Sequence, residues 1–343
     1  MAELAHAAGQ VWPAFALVTG LLLVGVVAER DGLFAAAGAR LARVPGGARA
    51  VYLVALALVA VVTAVLNLDT SVFFLTPVLV HLARARGLDE APFLYGAVFM
   101  SNAASLYLPG SNLTNLILLQ HAPVNGATFL AHMWPAAVAS TVATAALLVV
   151  LFHRALGRDH EAEPERPPVR LAIGAAAVLV ATGLVLALSS PALPVLIVGV
   201  AAVALDRTPR GRLHAAVDVR VIGGLFLLAV LLGGIGRWWH GPADFVNGLG
   251  AWQTSVASSI AAIAVNNLPA AVLLTPVPPV HPHELLLGLN IGPNLAVTGS
   301  LSAFLWLRVA RSLGAQPSIR RYSALGAVLV PITLAASLAA LRL

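Results

Sequence analysis

The sequence contains no cysteine and no lysine, and only 10% of its 343 residues are charged. Without cysteine there is no disulfide, no thiolate metal site and no thiol chemistry on a soft cargo, and the redox compartment is left open. Without lysine, the net charge of +6 rests on arginine alone. Soluble domains carry roughly 25% charged residues. The scarcity of charge, 59% hydrophobic residues and a mean hydropathy of +0.91 therefore exclude a soluble domain and indicate an integral membrane protein. No stretch has soluble-domain composition, so 1–343 reads as a single membrane transport domain. In such a chain an arginine excess sets topology, and nucleic acid is not expected as a partner. Only Glu3 and His6 precede the apolar run that starts at Val11. With no basic segment there, a cleaved signal peptide is not expected.

What is present is a polar knot in an apolar run: Asn67-Leu68-Asp69-Thr70-Ser71, leading to Leu75-Thr76-Pro77. It returns 199 positions later, where Asn266-Asn267-Leu268-Pro269 leads to Leu274-Thr275-Pro276. A polar break followed by an apolar half-helix and Thr-Pro, found twice, predicts an internal repeat. Paired breaks in hydrophobic segments point to the binding site of a secondary transporter.

Arginine placement orients the segments. Arg30, Arg40, Arg43 and Arg49 precede the first knot and Arg84 and Arg86 follow it, so 50–83 is predicted to be a re-entrant hairpin entering from the cytoplasm. The flanks of the second knot hold no arginine, so 250–276 is predicted to enter from outside. This topology puts eighteen of twenty arginines inside, leaves Arg237 and Arg342 outside, and turns both termini outward. After each hairpin comes a long segment with a broken middle, Ser101 to Asn115 and Asn290 to Ser300, where Gly and Pro unwind the helix and Asn, Ser and Thr serve the freed backbone. The fold class expected is an all-α polytopic membrane protein with inverted structural repeats, each with a re-entrant helical hairpin and a broken transmembrane helix. Repeat one is 11–153, the linker 154–170, interposed helices occupy 171–206, and repeat two is 221–341.

Four breaks brought together make a polar site, with candidate substrate ligands Asn67, Asp69, Thr70, Asn102, Ser111 and Asn112 from the first repeat. The second supplies Asn266, Asn267, Asn294 and Ser300. Asp69 is the one carboxylate at membrane depth, where an Asp costs roughly 2.5–3.5 kcal/mol. Burial and a nearby helix N-terminus act on its charge in opposite senses, the balance a proton-coupling residue needs; the alternative is a structural cap for the helix from Thr70 onward. No arginine or histidine sits at that depth, which favours a neutral or cationic solute. His281-Pro282-His283-Glu284 reads as an exposed Pro-rich loop without the further ligands of a metal site. Arg237-Trp238-Trp239-His240 reads as an interfacial anchor. Asn247, outside the hairpins, is expected to be indifferent to transport.

On the two hairpins and both broken helices, about half of its length, the chain resembles the arsenical pump membrane protein (ArsB) family of the ion transporter superfamily. The matching stretches are Asn67 to Thr70 through Pro77, Ala104-Ser105-Leu106 through Asn115, Asn266 to Pro269, and Gly292-Pro293-Asn294 through Leu301, with Leu305-Trp306-Leu307. The resemblance implies export of arsenite and antimonite across the inner (plasma) membrane, driven by protons or by an associated ATPase. Two departures from the family's pattern stand out: the chain is shorter, and Asn290 and Val297-Thr298 replace an acidic residue and Thr-Pro-Ile. Arsenite near neutral pH is As(OH)3, a triol that Asn, Ser and helix ends can hydrogen-bond. The residues alone support a secondary transporter of a small solute; arsenite comes from the resemblance. Expected partners are the neutral metalloid, protons and the bilayer, with a cytoplasmic ATPase subunit and a second copy of the chain as further candidates. No cofactor, metal or catalytic residue is expected. The alternatives are a sodium/proton antiporter, a sodium-coupled carboxylate transporter, or the membrane subunit of an ATPase-driven pump. An intramembrane enzyme is disfavoured, because no Ser/His pair, HExxH or twin-Asp motif is present.

Overall fold

A computed structural model describes residues 2–120, 123–157, 173–209, 211, 213 and 219–342. Most of the 154–170 linker lies outside the described residues. The elements in order are α1 (Ala2–Arg30), α2 (Leu33–Leu41), α3 (Ala48–Val65), α4 (Leu68–Ala85), α5 (Glu90–Ala104), α6 (Leu113–Leu118), α7 (Gly126–Leu151), α8 (Ile173–Ala187) and α9 (Ala192–Asp206). They continue with α10 (Val219–Trp238), α11 (Gly241–Asn247), α12 (Ala251–Val265), α13 (Asn267–Leu274), α14 (Pro282–Ile291), α15 (Leu301–Ser312) and α16 (Ile319–Ala340). The described residues are all helix, turn and loop. Among the described residues, five helices are long and apolar enough to cross a membrane: Val11–Arg30 within α1, and α3, α4, α7 and α16.

The chain breaks where the sequence is polar, and side chains make each break tolerable. At the first knot the Asn67 Oδ1 accepts the Thr70 N–H at 2.7 Å, which caps α4 and starts it one residue after the break. The Ser71 hydroxyl reaches the Val59 carbonyl of α3 at 3.4 Å, so α4 runs back along α3. At the far end the Arg86 guanidinium donates to the Ala42 carbonyl at 2.5 Å and to that of Gly46 at 3.5 Å, clamping the exit of the hairpin to its entrance. The second hairpin is closed in the same way by a different residue. Asn247 precedes it, and its Oδ1 accepts the Val280 N–H at 3.0 Å while its Nδ2 donates to Pro278 at 3.5 Å. Asn247 thus ties the approach to the second hairpin to the segment that leaves it.

The arms differ in reach. α3 and α4 have 18 residues each, about 27 Å at the helical rise, so each is longer than the apolar runs 50–66 and 72–83 alone. The cap at Asn67 lets α4 absorb Leu68 to Ser71, and Pro77 sits inside the helix without ending it. α13 has eight residues, about 12 Å, too short to cross.

Side chains serve the freed backbone of both broken segments, from within the first and from α16 in the second. Ser111 Oγ donates to the carbonyls of Ser105 and Leu108, each at 2.5 Å, and Asn115 Nδ2 reaches the same two at 2.8 and 3.2 Å. In the second, the buried Tyr322 hydroxyl donates to the Pro293 carbonyl at 3.1 Å. Gly326 of α16 lies so close to Asn294 and Leu295 that a Cβ would collide with their backbone. The half-helix after each break packs on the other hairpin: α6 lies on α13, and α15 lies on α4. Around them α1 packs along α9, where Gly20 and Gly199 let the backbones touch; a Cβ on Gly199 would stand 2.6 Å from the Gly20 carbonyl.

Two of the arginines tie helix ends together. Arg84 pairs with Glu90 at 2.7 Å and donates to the Leu313 carbonyl at the end of α15 at 3.0 Å. Arg30 pairs with Asp206 at 2.7 Å, tying the ends of α1 and α9. The His281–Glu284 stretch is no exposed loop: α14 starts at Pro282, and the half-buried His283 stacks on His132 with ring centroids 5.9 Å apart. Trp238 and Trp239, at the end of α10, are 85% and 63% exposed, as an interfacial anchor requires.

Candidate functional site

Both hairpin tips and both second breaks meet at one small cavity of about 20 Å³. Its lining comes from the first residues of four helices: Leu68 and Asp69 of α4, Asn112 and Leu113 at α6, Asn266, Asn267 and Leu268 at α13, and Ser300, Leu301 and Ser302 at α15. Each helix is capped by a side chain at the break: Asn67 on Thr70, Asn112 on Thr114, Asn266 on Leu268, Ser300 on Ala303. A cap satisfies one of the four N–H groups that a helix start leaves without a partner. The cavity is therefore ringed by donors and by the positive ends of four helices, with six-residue α6 the weakest contributor.

The absence of a deep cation favoured a neutral or cationic solute; converging helix starts add positive potential without any cation. Facing it is Asp69, the carboxylate on the cavity wall, which has no hydrogen bond or ion pair among the described residues. The site pairs a strong acceptor with a ring of donors, and suits a small solute with hydroxyl groups that both donate and accept.

The ten predicted ligands divide. Asp69, Asn112, Asn266, Asn267 and Ser300 line the cavity. Asn267, 5% exposed, makes no hydrogen bond within the described protein, so its amide is free for a ligand. Asn67 stands behind the tip as the α4 cap, with its Nδ2 buried and without a partner. Thr70 turns toward α1, its methyl against Gly25. Ser111 is consumed by the first break. Asn102 donates to Asn294 Oδ1 at 2.9 Å, a bond between the two breaks. Asn266 holds a backbone φ of 80°, unusual for a residue with a Cβ, and its Nδ2 donates to the Thr298 carbonyl at 3.0 Å.

Sequence reasoning missed Ser302, which shares a 2.9 Å hydrogen bond with Ser300; it placed Asn290 in the second break without naming it a site residue, and Asn290 touches three residues of the first break. A signal for Asn290 was available. It is the lone polar side chain in the fully buried stretch Leu285–Ile291, and a buried amide needs partners. A larger cavity of about 430 Å³ lies near Trp12, Gln120 and Pro191, with Pro109 of the first break in its wall. Its lining is mostly apolar and holds no charged group, so the polar chemistry belongs to the small cavity.

Residues 3–283 match the family model described as CitMHS, citrate transporter. The chain belongs to the CitMHS family. Among curated relatives of this CitMHS chain, the arsenical pump membrane protein of Escherichia coli K12 is 22% identical, the alignment covering 97% of this chain and 86% of the relative. The 46 kDa membrane protein of Mycobacterium leprae is 24% identical over 96% and 86%. An uncharacterized transporter of Mycobacterium tuberculosis is 26% identical over 97% and 86%. Among solved structures, the Alcanivorax borkumensis YdaH transporter aligns with a TM-score of 0.59 at 16% identity, covering 98% of this chain and 86% of that one. The CitMHS chain is a multi-pass membrane transporter built on that fold.

Proposed function

We propose that this transporter exports arsenite and antimonite as neutral trihydroxides in exchange for protons. The observation that carries the reading is Asp69, a carboxylate without a partner among the described residues, on the wall of a cavity ringed by helix starts. As(OH)3 donates hydroxyl protons to such a carboxylate and accepts from backbone N–H groups with its oxygen lone pairs. A cavity of about 20 Å³ has room for about one water, so the site must widen to load cargo, and a four-heavy-atom solute asks least of it. With no cysteine, metalloid is held through hydroxyls and released without breaking a thiolate bond. Proton entry to Asp69 and metalloid binding then compete for one group, which is the condition for antiport. The name of the Escherichia coli relative supports the same cargo.

The second reading is sodium-coupled carboxylate transport, favoured by the four converging helix starts and by the family's citrate transporter description. Purified protein in liposomes with an imposed pH gradient separates the two. Export is expected to concentrate arsenite against its gradient without sodium or an ATPase. Movement of citrate but not arsenite would establish the second reading, and dependence on an added ATPase would make the chain a pump subunit.

Our reading of the architecture is two inverted repeats, 11–153 and 221–341, in the plasma membrane with termini outside and both hairpins re-entrant. Cargo passes from one side to the other as the hairpin tips part at the shared cavity. The cysteine-free chain makes this directly testable. Single cysteines at Arg49 and Ala85 are expected to react with an impermeant maleimide from the cytoplasmic side only, and one at Val65, by the tip, from neither side. Labelling of the tip from outside would mean that α3 and α4 each cross.

A further inference from the structure

We infer that Asn290 is a positioning residue that sets the orientation of Asn112 at the cavity and couples α14 to the first break. Its buried amide sits in a one-way chain of hydrogen bonds. The Thr114 N–H donates to Asn112 Oδ1 at 3.2 Å, which leaves Asn112 Nδ2 as the donor to Asn290 Oδ1 at 2.6 Å. The Thr114 hydroxyl donates to the same Oδ1 at 2.6 Å. Asn290 Nδ2 donates in turn to Asn115 Oδ1 at 2.7 Å, and Asn115 Nδ2 ends on the carbonyls of Ser105 and Leu108. Backbone groups fix both ends of the chain, a donor at Thr114 and acceptors at Ser105 and Leu108. No amide in between can be turned over without placing donor against donor or acceptor against acceptor.

Two consequences follow from that direction. Asn112 cannot rotate at the cavity while Asn290 is in place, so the face it offers the cargo is set from the other side of the molecule. Displacement of α14, which follows the second hairpin, pulls directly on the start of α6 in the first broken segment. Asn290 must also donate toward Asn115 and accept from Asn112 and Thr114 at once. A neutral amide does this at every pH, whereas a carboxyl does it only when protonated.

The surroundings leave that titration uncluttered. α6, α12, α13 and the turn Gly292–Leu295, all near Asn290, carry no titratable side chain. α5 carries Glu90 and Tyr95 and α16 carries Arg320, Arg321 and Tyr322, near their starts. On α14 itself His283 and Glu284 lie more than a turn before Asn290, and Asp69 stands on the cavity wall beyond Asn112.

The test is N290D, which keeps the shape, with N290L as the variant that lacks every polar atom. Purified N290D is expected to match the wild-type melting temperature at about pH 4 and below and to fall beneath it progressively toward about pH 8, because a carboxyl that stays protonated in the fold ionises above about pH 4 when unfolded. Arsenite flux in N290D liposomes is expected to follow, near wild type at the acid end and down about tenfold or more at the alkaline end. N290L is expected to be impaired at all pH values. A pH-independent gap between N290D and wild type in melting temperature, or wild-type flux in N290L, overturns the proposal. The flux arm rests on the arsenite reading. The melting arm does not, so wild-type protein that moves no arsenite would defeat that reading and leave this one to be decided by melting.

Discussion

Asp69→Asn is expected to abolish uphill transport of arsenite while leaving downhill exchange. The substitution keeps the size of the side chain and one acceptor oxygen, and it removes the group that trades a proton for the cargo. In liposomes carrying a pH gradient, the variant should bring arsenite only to equal concentrations on the two sides, where wild type concentrates it. Exchange of labelled for unlabelled arsenite should persist, because Asn267, the serines and the helix starts still line the cavity. Wild-type accumulation in the variant would reduce Asp69 to a first-turn residue that merely complements the α4 dipole. The converse outcome, loss of both modes, would make it a ligand first and a proton carrier second.

The next largest effect is expected at Asn267→Ala. Asn267 has a buried side chain on the cavity wall and no partner within the described protein. Its loss removes hydrogen bonds to cargo without opening a protein network. An unmade buried hydrogen bond costs roughly 1–3 kcal/mol, so arsenite binding should weaken about 5- to 150-fold, with antimonite affected in parallel. Asn112→Ala is a less clean probe, since it also breaks the chain that runs through Asn290. Gln316, exposed in the loop before α16, is the control that should leave binding unchanged. Equal affinity in wild type and Asn267→Ala, measured on detergent-solubilised protein, would move the binding site away from the small cavity.

The tips of the hairpins were readable in the sequence because their chemistry is local. Asn67 and Asn266 interrupt apolar runs, and an asparagine there has one main use, to cap the helix that follows. Facing was not readable. Every residue from Pro92 to Ala104 of α5 is buried, so no polar stripe marks which side of the helix looks at the site. Asn102 and Ser111 could be assigned to a break but not to a side of it, and they bond to protein rather than line the cavity. The bonds of Asn247 were hidden for the same reason: its partners at Pro278 and Val280 are about thirty residues away along the chain. The sign of the potential at the site also depended on geometry. The helix starts that make it positive run from Leu68 to Leu301 in sequence and carry no charged side chain but Asp69.

The backbone of Asn266 has a bearing on how fast such a carrier cycles. A positive φ on a residue with a Cβ stores roughly 1–3 kcal/mol, and here two side-chain bonds, to the Thr298 carbonyl and from the Leu268 N–H, are set against that strain. The tip of the second hairpin is therefore a loaded spring with a weak catch. When the catch opens, the strain relaxes in the same movement, so the unlatched tip lies only a small step uphill and is visited often. A glycine there would carry no such load, and would offer no catch.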